Sequence, residues 1–323
     1  MKDLPALIRE RLTQNLWGVL GNQGYILGID LGSYGLRAAL VDLQHHTYQN
    51  AALESIDHED PETTVRRVID LARDLMAQEG VTVERLVRVG VGFSGPVDLR
   101  HGTVRLAPRR PGWENYPLQE RFEQAFDAVT LIDNDANLIA LGEATFGVGK
   151  GCQHLFYFHL SSGVGGGAVL NGRLYHGAHS MAGEIGHAVV AHGWDGDGRP
   201  ETLEELVSIG GLIRRAAAAG LAADRLEDIF SDHPIARKVV QHTVDLMATR
   251  IAQVIALLDP EMVVLGGIVV RIGGDRFVEA IATRVNDFIA PQFARPVPVV
   301  ASILGPDSVA IGAVAMALDS LSD

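Results

Sequence analysis

The sequence predicts an α/β protein of two lobes, each built on a mixed β-sheet, with a cleft between them. Three observations carry that expectation. A glycine-rich hairpin occupies residues 156–170, with apolar strands on either side of Ser161-Ser162-Gly163-Val164-Gly165-Gly166-Gly167. A weaker copy of the same strand–turn–strand pattern surrounds Gly32-Ser33-Tyr34-Gly35. Apolar runs then alternate with segments of helical period in both halves, as if one ββ unit with α/β crossovers were used twice.

In chain order, residues 4–20 read as a short amphipathic helix with Leu7, Ile8, Leu12 and Trp17 on its apolar side, too short for a helix-turn-helix module. Residues 25–31 and 36–41 pair as strands, and 47–53 supply a third. Asp60 caps a helix with Pro61 in its first turn; Val65, Val68, Ile69, Leu71, Leu75 and Met76 form the buried stripe, and Gly80 ends it. Residues 86–91 make a fourth strand that runs into the loop Gly92-Phe93-Ser94-Gly95-Pro96-Val97-Asp98. A strand over 128–132 precedes Asp133-Asn134-Asp135, which opens a helix carrying Leu138, Ile139, Leu141 and Phe146. Further helices are expected over 203–219, 235–258 (stopped by Asp259-Pro260) and 276–289, and strands over 262–265 and 297–303. A small-residue helix over 308–318 closes the chain. The division this suggests is an N-terminal helical extension over 1–24, a first lobe of 25–133 with 304–323, and a larger second lobe of 134–303.

Composition narrows the function. At 323 residues, with 47% hydrophobic and 21% charged residues, the chain can fill two cores and is not of disordered type. No apolar run approaches the ~20 residues a membrane span needs, and no signal peptide is evident. A net charge of −13 argues against nucleic acid as a partner of this chain. The single cysteine, Cys152, excludes an intrachain disulfide and fits a cytoplasmic protein.

The chemistry centres on the glycine turns. Bare amides and a hydroxyl at Ser162-Gly163 suit phosphate oxygens; a hairpin with no ligand is the alternative. Asp30, at the end of the first strand, is placed to hold Mg²⁺ through water, or merely to cap its turn. Asp135 is either a helix N-cap, a role open to Asp133 and Asn134 too, or the base that takes a proton from an attacking hydroxyl. Glu184 and His187 lie three apart in a glycine-flanked loop, and Glu204 follows; together they supply the spaced acceptors a sugar needs, and singly they read as solvated surface.

These residues give the chain its resemblance. Gly28-Ile29-Asp30-Leu31-Gly32, Gly95-Pro96-Val97-Asp98, Gly112-Trp113, Asn134-Asp135-Ala136-Asn137, Ser162 to Gly167, Gly183-Glu184-Ile185-Gly186-His187, Leu203-Glu204 with Ser208, and Gly266-Gly267 resemble the ROK family of repressors, open reading frames and kinases. The resemblance runs from Tyr25 to the C-terminus and implies a two-lobed actin-like (ribonuclease H-like) fold. It implies a glucokinase-like, ATP-dependent enzyme with Asp135 as catalytic base. Sugar contacts would come from Gly95, Asn134, Asp135, Glu184, His187 and Glu204. ATP and Mg²⁺ would engage Asp30, Gly32, Ser162, Gly163, Gly165, Gly266 and Gly267, and the assembly would be a homodimer.

Two departures bear on that expectation. Where the family has Asp-x-Gly-Gly-Thr, this chain has Asp30-Leu31-Gly32-Ser33-Tyr34, exchanging a short hydroxyl for a ring. Repressor members of the family are often altered here, so a sugar-binding sensor without phosphotransfer is the rival expectation. The family's zinc-binding cysteines are replaced by Asp195, Asp197 and Thr202, which leaves His187 without thiolate partners, so no structural zinc is expected. An ordinary turn over Asp195-Gly196-Asp197-Gly198 is expected, with another cation held by His187, His192, Asp195 and Asp197 as the lesser alternative.

Overall fold

The computed structural model describes residues 24–32, 35–54, 60–105, 110–191, 200–289 and 295–321. The expected extension over 1–24 lies almost wholly outside those residues, as do Ser33, Tyr34, His192, Asp195 and Asp197.

The chain begins with strands β1 (Tyr25–Gly32), β2 (Gly35–Asp42) and β3 (Thr47–Leu53), followed by helix α1 (Pro61–Gln78). Asp60 caps α1 by accepting a hydrogen bond from the Thr63 amide at 3.0 Å. Next come β4 (Leu86–Phe93), the short pair β5 (Val97–Asp98) and β6 (Thr103–Val104), α2 (Leu118–Phe126), β7 (Thr130–Asn134) and α3 (Asp135–Thr145). The second half runs β8 (Leu155–Leu160), β9 (Val164–Leu170), β10 (Arg173–Leu174), β11 (Val189–Ala191) and β12 (Glu201–Thr202). It continues with α4 (Leu203–Val207), α5 (Ile209–Ala218), α6 (Leu226–Ile229), α7 (Pro234–Leu258), β13 (Met262–Gly266), α8 (Ile268–Ile289) and β14 (Val299–Ala301). Helix α9 (Ser308–Asp319) ends it.

Two five-stranded sheets result, ordered β3-β2-β1-β4-β7 and β10-β9-β8-β13-β14. In each, a three-strand antiparallel meander precedes two strands parallel to its first member. The repeated ββ unit expected from the two glycine turns is therefore one topology used twice. Each sheet has its own hydrophobic core. By contacts the first unit keeps the described residues up to Lys150, with Gly177–Met181 and the chain from Ile303 onward, and the second takes Gly151–His176 and Ala182–Ser302. That boundary follows α3, whereas the sequence reading drew it after Asp133.

Helix α9 shows why its residues are small. It packs on β1 and β4 on one side and on α3 on the other, so Val309 to Ala315 are buried all round. A side chain at Gly28 would strike the Ala310 carbonyl, one at Gly90 the Ala313 carbonyl, and one at Gly312 the Leu138 carbonyl.

Three expectations about elements need correction. The single helix over 203–219 is two, because Ser208 is extended (φ −67°, ψ 164°) and its hydroxyl accepts from the Gly211 amide at 3.2 Å, capping α5. The helix expected over 276–289 is present, but a further helical segment from Ile268 precedes it, and the non-helical Gly274 (φ 65°, ψ −168°) kinks α8 between the two. Gly165, Gly166 and Gly167 lie in strand β9, not in the turn, which is Ser161-Ser162-Gly163 alone. Among the described residues, no helix is long and apolar enough to cross a membrane.

Candidate active site

The first unit gathers its predicted residues at one edge of its sheet. Parallel register sets Leu31 beside Phe93 and Phe93 beside Asn134. The next residues of the three strands, Gly32, Ser94 and Asp135, therefore emerge together at the carboxyl ends, where α/β sheets bind ligands. Gly95 follows Ser94 with φ 144° and returns its amide to the Phe93 carbonyl at 3.0 Å.

The three polar residues at the end of β7 divide their tasks. Asp133 is buried and accepts from the Asn134 amide at 2.7 Å and the Asn137 side-chain amide at 2.9 Å. Asn134 is the N-cap of α3, its Oδ1 accepting from Ala136 N at 2.9 Å and Asn137 N at 3.4 Å. Asp135, released from capping, takes the Ser94 hydroxyl on Oδ2 at 2.5 Å and the Ala136 amide on Oδ1 at 2.7 Å. Two hydrogen bonds thus fix the orientation of the expected base.

Asp30 lies two residues before Gly32 on β1 and is 5% exposed. Burial first, and then the Asp135 carboxylate, push its carboxyl up to about 8, against the opposing pull of Arg37 and the Gly32 amide. It is therefore protonated at neutral pH unless a cation approaches. Among the described residues, its buried Oδ1 has no hydrogen-bond partner. One unsatisfied carboxylate oxygen beside the Gly32 turn fits Mg²⁺, which takes few protein ligands and keeps its waters. Gly32 leaves that carboxyl its room: a Cβ there would sit 2.8 Å from Asp30 Oδ1.

Two residues not singled out in the sequence complete this edge. Ser94 was legible as part of a glycine loop, but not as the partner of a residue 41 positions away. Arg110 lies over the Trp113 ring at 4.4 Å and the Phe93 ring at 5.1 Å, and donates from Nη1 to the Leu31 carbonyl at 2.9 Å. Its nearness to the Gly112-Trp113 motif was the only signal.

The second unit gathers the remainder around its own hairpin. Ser161 donates its amide to the Gly163 carbonyl at 2.8 Å, which closes the turn. The Val164 amide is taken by Glu204 Oε2 at 2.9 Å, so Glu204 braces the hairpin from α4. Among the described residues, the Ser162 and Gly163 amides have no partner, and these are the donors left for an anion. Glycines of the following loop serve packing against β9: side chains at Gly183 and Gly186 would strike the carbonyls of Gly166 and Val164. That contact lays the Glu184–His187 loop against the strand, with His187 Nε2 at 3.7 Å from Glu184 Oε2. Gly165 sits opposite His159 within the ladder. Gly266 ends β13 beside β8, and Gly267 leads into the first turn of α8, whose amides lack helical partners.

The site residues thus fall into two sets, Asp30, Gly32, Gly95, Asn134 and Asp135 in one unit, and Ser162, Gly163, Gly165, Glu184, His187, Glu204, Gly266 and Gly267 in the other. Thr202, expected in place of a zinc-ligating cysteine, caps α4 by accepting from the Glu205 amide. Among the described residues, no group of three or more His, Cys, Asp or Glu is placed to hold a metal.

Comparison with known proteins agrees with the architecture. The chain is 28% identical over 308 residues to a glucokinase of Thermotoga maritima, covering 89% of this chain and 95% of that one. It is 28% identical over 327 residues to the xylose repressor of Caldicellulosiruptor bescii, covering 92% of this chain and 79% of the repressor. The solved ROK hexokinase of Thermus thermophilus matches with a TM-score of 0.81 at 27% identity, over 93% of this chain and 99% of that one. A family profile described as ROK family matches residues 26–320, nearly the whole chain, and the protein belongs to the ROK family.

Proposed function

We propose that this protein is an ATP-dependent sugar kinase that phosphorylates a hexose or amino sugar. The observation that carries the reading is Asp135: relieved of capping by Asn134, it is aimed by Ser94 at the carboxyl edge of three parallel strands, beside Asp30 and Gly32. Glucokinase and hexokinase relatives of near-full coverage support it.

Asp135 accepts the proton of the sugar hydroxyl as that oxygen attacks the γ-phosphorus. Asn134, the Gly95 loop, Glu184, His187 and Glu204 orient the sugar through its other hydroxyls. The turn at Gly32, the amides of Ser162 and Gly163 and the Gly266-Gly267 turn hold the polyphosphate. Mg²⁺, when bound near Asp30, supplies positive charge to the phosphate oxygens. Asp30 gives that ion its carboxylate only by losing a proton, which ties cation binding to pH.

A second reading is a sugar sensor that does not transfer phosphate. The xylose repressor relative and the Ser33-Tyr34 exchange favour it. A coupled assay of ADP release over a panel of hexoses and amino sugars separates the two. The kinase reading expects turnover with at least one sugar, and Asp135→Asn to lower kcat by about 10³-fold while sugar affinity stays within about threefold. Sugar binding without phosphorylated product, at high enzyme concentration, would overturn it in favour of the sensor.

A further inference from the structure

Arg110 is held more firmly than a surface arginine and is used less. The indole of Trp113 and the ring of Phe93, both fully buried, form the floor beneath its guanidinium. The Leu31 carbonyl fixes one edge through Nη1. Of the five N–H donors a guanidinium carries, that bond engages one. Among the described residues no carboxylate forms an ion pair with it, yet the charges of both Asp30 and Asp135 act on it. A planar cation with spare donors therefore stands near two acids without touching them, at the carboxyl edge of β1, β4 and β7.

Space bordered by one cation and two acids suits a group that is itself anionic and carries a hydroxyl-derived oxygen. Leu31 is the residue before Gly32, and Ser94 follows Phe93 to reach Asp135. Arg110 is thus tied at once to the strand that enters the first phosphate turn and to the strand that orients the base. We propose that Arg110 is a catalytic residue of the phosphotransfer, its guanidinium binding the equatorial oxygens of the γ-phosphoryl group in transit. This rests on the kinase reading and extends it. The sugar oxygen forms its bond to phosphorus as the bridging P–O bond to ADP breaks. ADP leaves with the bonding pair, and the hydroxyl proton passes to Asp135. Arg110 gains and loses no proton; its fixed charge offsets what spreads over the phosphoryl oxygens. Lysine does not replace it, because a point charge on a flexible stem cannot present a fork.

The test uses the full chain as wild type, R110K, R110M and R110A, with ATP and the best sugar of the panel. R110M is expected to lose about 10²–10³-fold in kcat, with sugar affinity by calorimetry within about threefold. R110K should recover less than half of the lost activation energy, and millimolar guanidinium should restore part of kcat to R110A and none to wild type. A structural role predicts instead a shared loss of sugar affinity and melting temperature, with no response to guanidinium, and that result overturns the proposal. So does wild-type kcat in R110M. Should R110M and R110A fail to fold, R110K decides: unchanged kcat overturns the assignment, and a selective fall in kcat supports it. A wild-type chain that binds sugar and transfers no phosphate removes the kinase reading itself; a competent wild type beside a competent R110M removes only the role of Arg110.

Discussion

Asp133, Asn134 and Asp135 are consecutive and chemically alike, and each is held differently. Buried hydrogen bonds occupy Asp133, capping occupies Asn134, and Ser94 orients Asp135. Ser94→Ala should therefore lower kcat about tenfold by loosening the base, with sugar affinity unchanged, as steady-state kinetics beside calorimetry would show. The sequence made all three candidates visible but not their division of labour, which depends on a hydroxyl 41 residues away and on which oxygen faces the first turn of α3. Asp42 offers a test of electrostatics away from the site. Burial alone would raise its carboxyl, but hydrogen bonds from the His45 ring and amide, Tyr25 and the Gln44 amide outweigh burial and hold it at about 2. Its folded value lies below its unfolded value, so its stabilisation is present above about pH 4 and is lost as pH falls toward 2. Asp42→Asn should cost about 2 kcal/mol at pH 7, and the difference in denaturation midpoint should shrink steadily between pH 5 and pH 2.

At the scale of elements, close backbone approach explains much that the sequence left ambiguous. The strands and most helices were legible because their apolar periods are clean and their ends are marked by Asp60-Pro61, Gly80 and Asp259-Pro260. The break at Ser208 was not, because apolar residues continue through it and only the extended backbone of the serine reveals the second cap. The glycines of β9 read in the sequence as part of one glycine turn, yet Gly166 and Gly167 belong to a strand against which the Gly183–Gly186 loop is laid. Helix α9 makes the strictest demand. Gly90→Ala places a methyl group on the Ala313 carbonyl and should destabilise the chain by about 2–3 kcal/mol, read as a lower denaturant midpoint with unchanged slope. The same substitution at Gly80, which has positive φ but nothing near its Cβ, is limited to the cost of that backbone, about 1 kcal/mol.

For the molecule as a whole, duplication was the most legible property, since two glycine-bearing ββ units forecast two sheets of one topology. What ties the first unit's distant segments together was not legible. Glu143, fully buried on α3, accepts from the Val148 amide at 2.9 Å, the Ile303 amide at 3.0 Å and the Leu304 amide at 3.3 Å. It thus holds the chain just before it leaves the first unit to the chain just after it returns. Glu143→Ala would leave three amides without their acceptor, the Leu304 amide among them buried, and should cost about 1–3 kcal/mol in equilibrium unfolding, with Glu143→Gln milder because one acceptor oxygen remains. Metal analysis of the purified chain should find no stoichiometric zinc, since aspartates and a capping threonine stand where thiolates would be needed; one tightly held zinc per chain would contradict that proposal. The most direct measurement is phosphorus NMR of the chain incubated with ATP, Mg²⁺ and a sugar it binds. A phosphomonoester resonance growing in step with ADP, and absent with Asp135→Asn, is the predicted result. A sugar-bound wild type that yields no phosphomonoester, or an Asp135→Asn variant that yields as much, would contradict it.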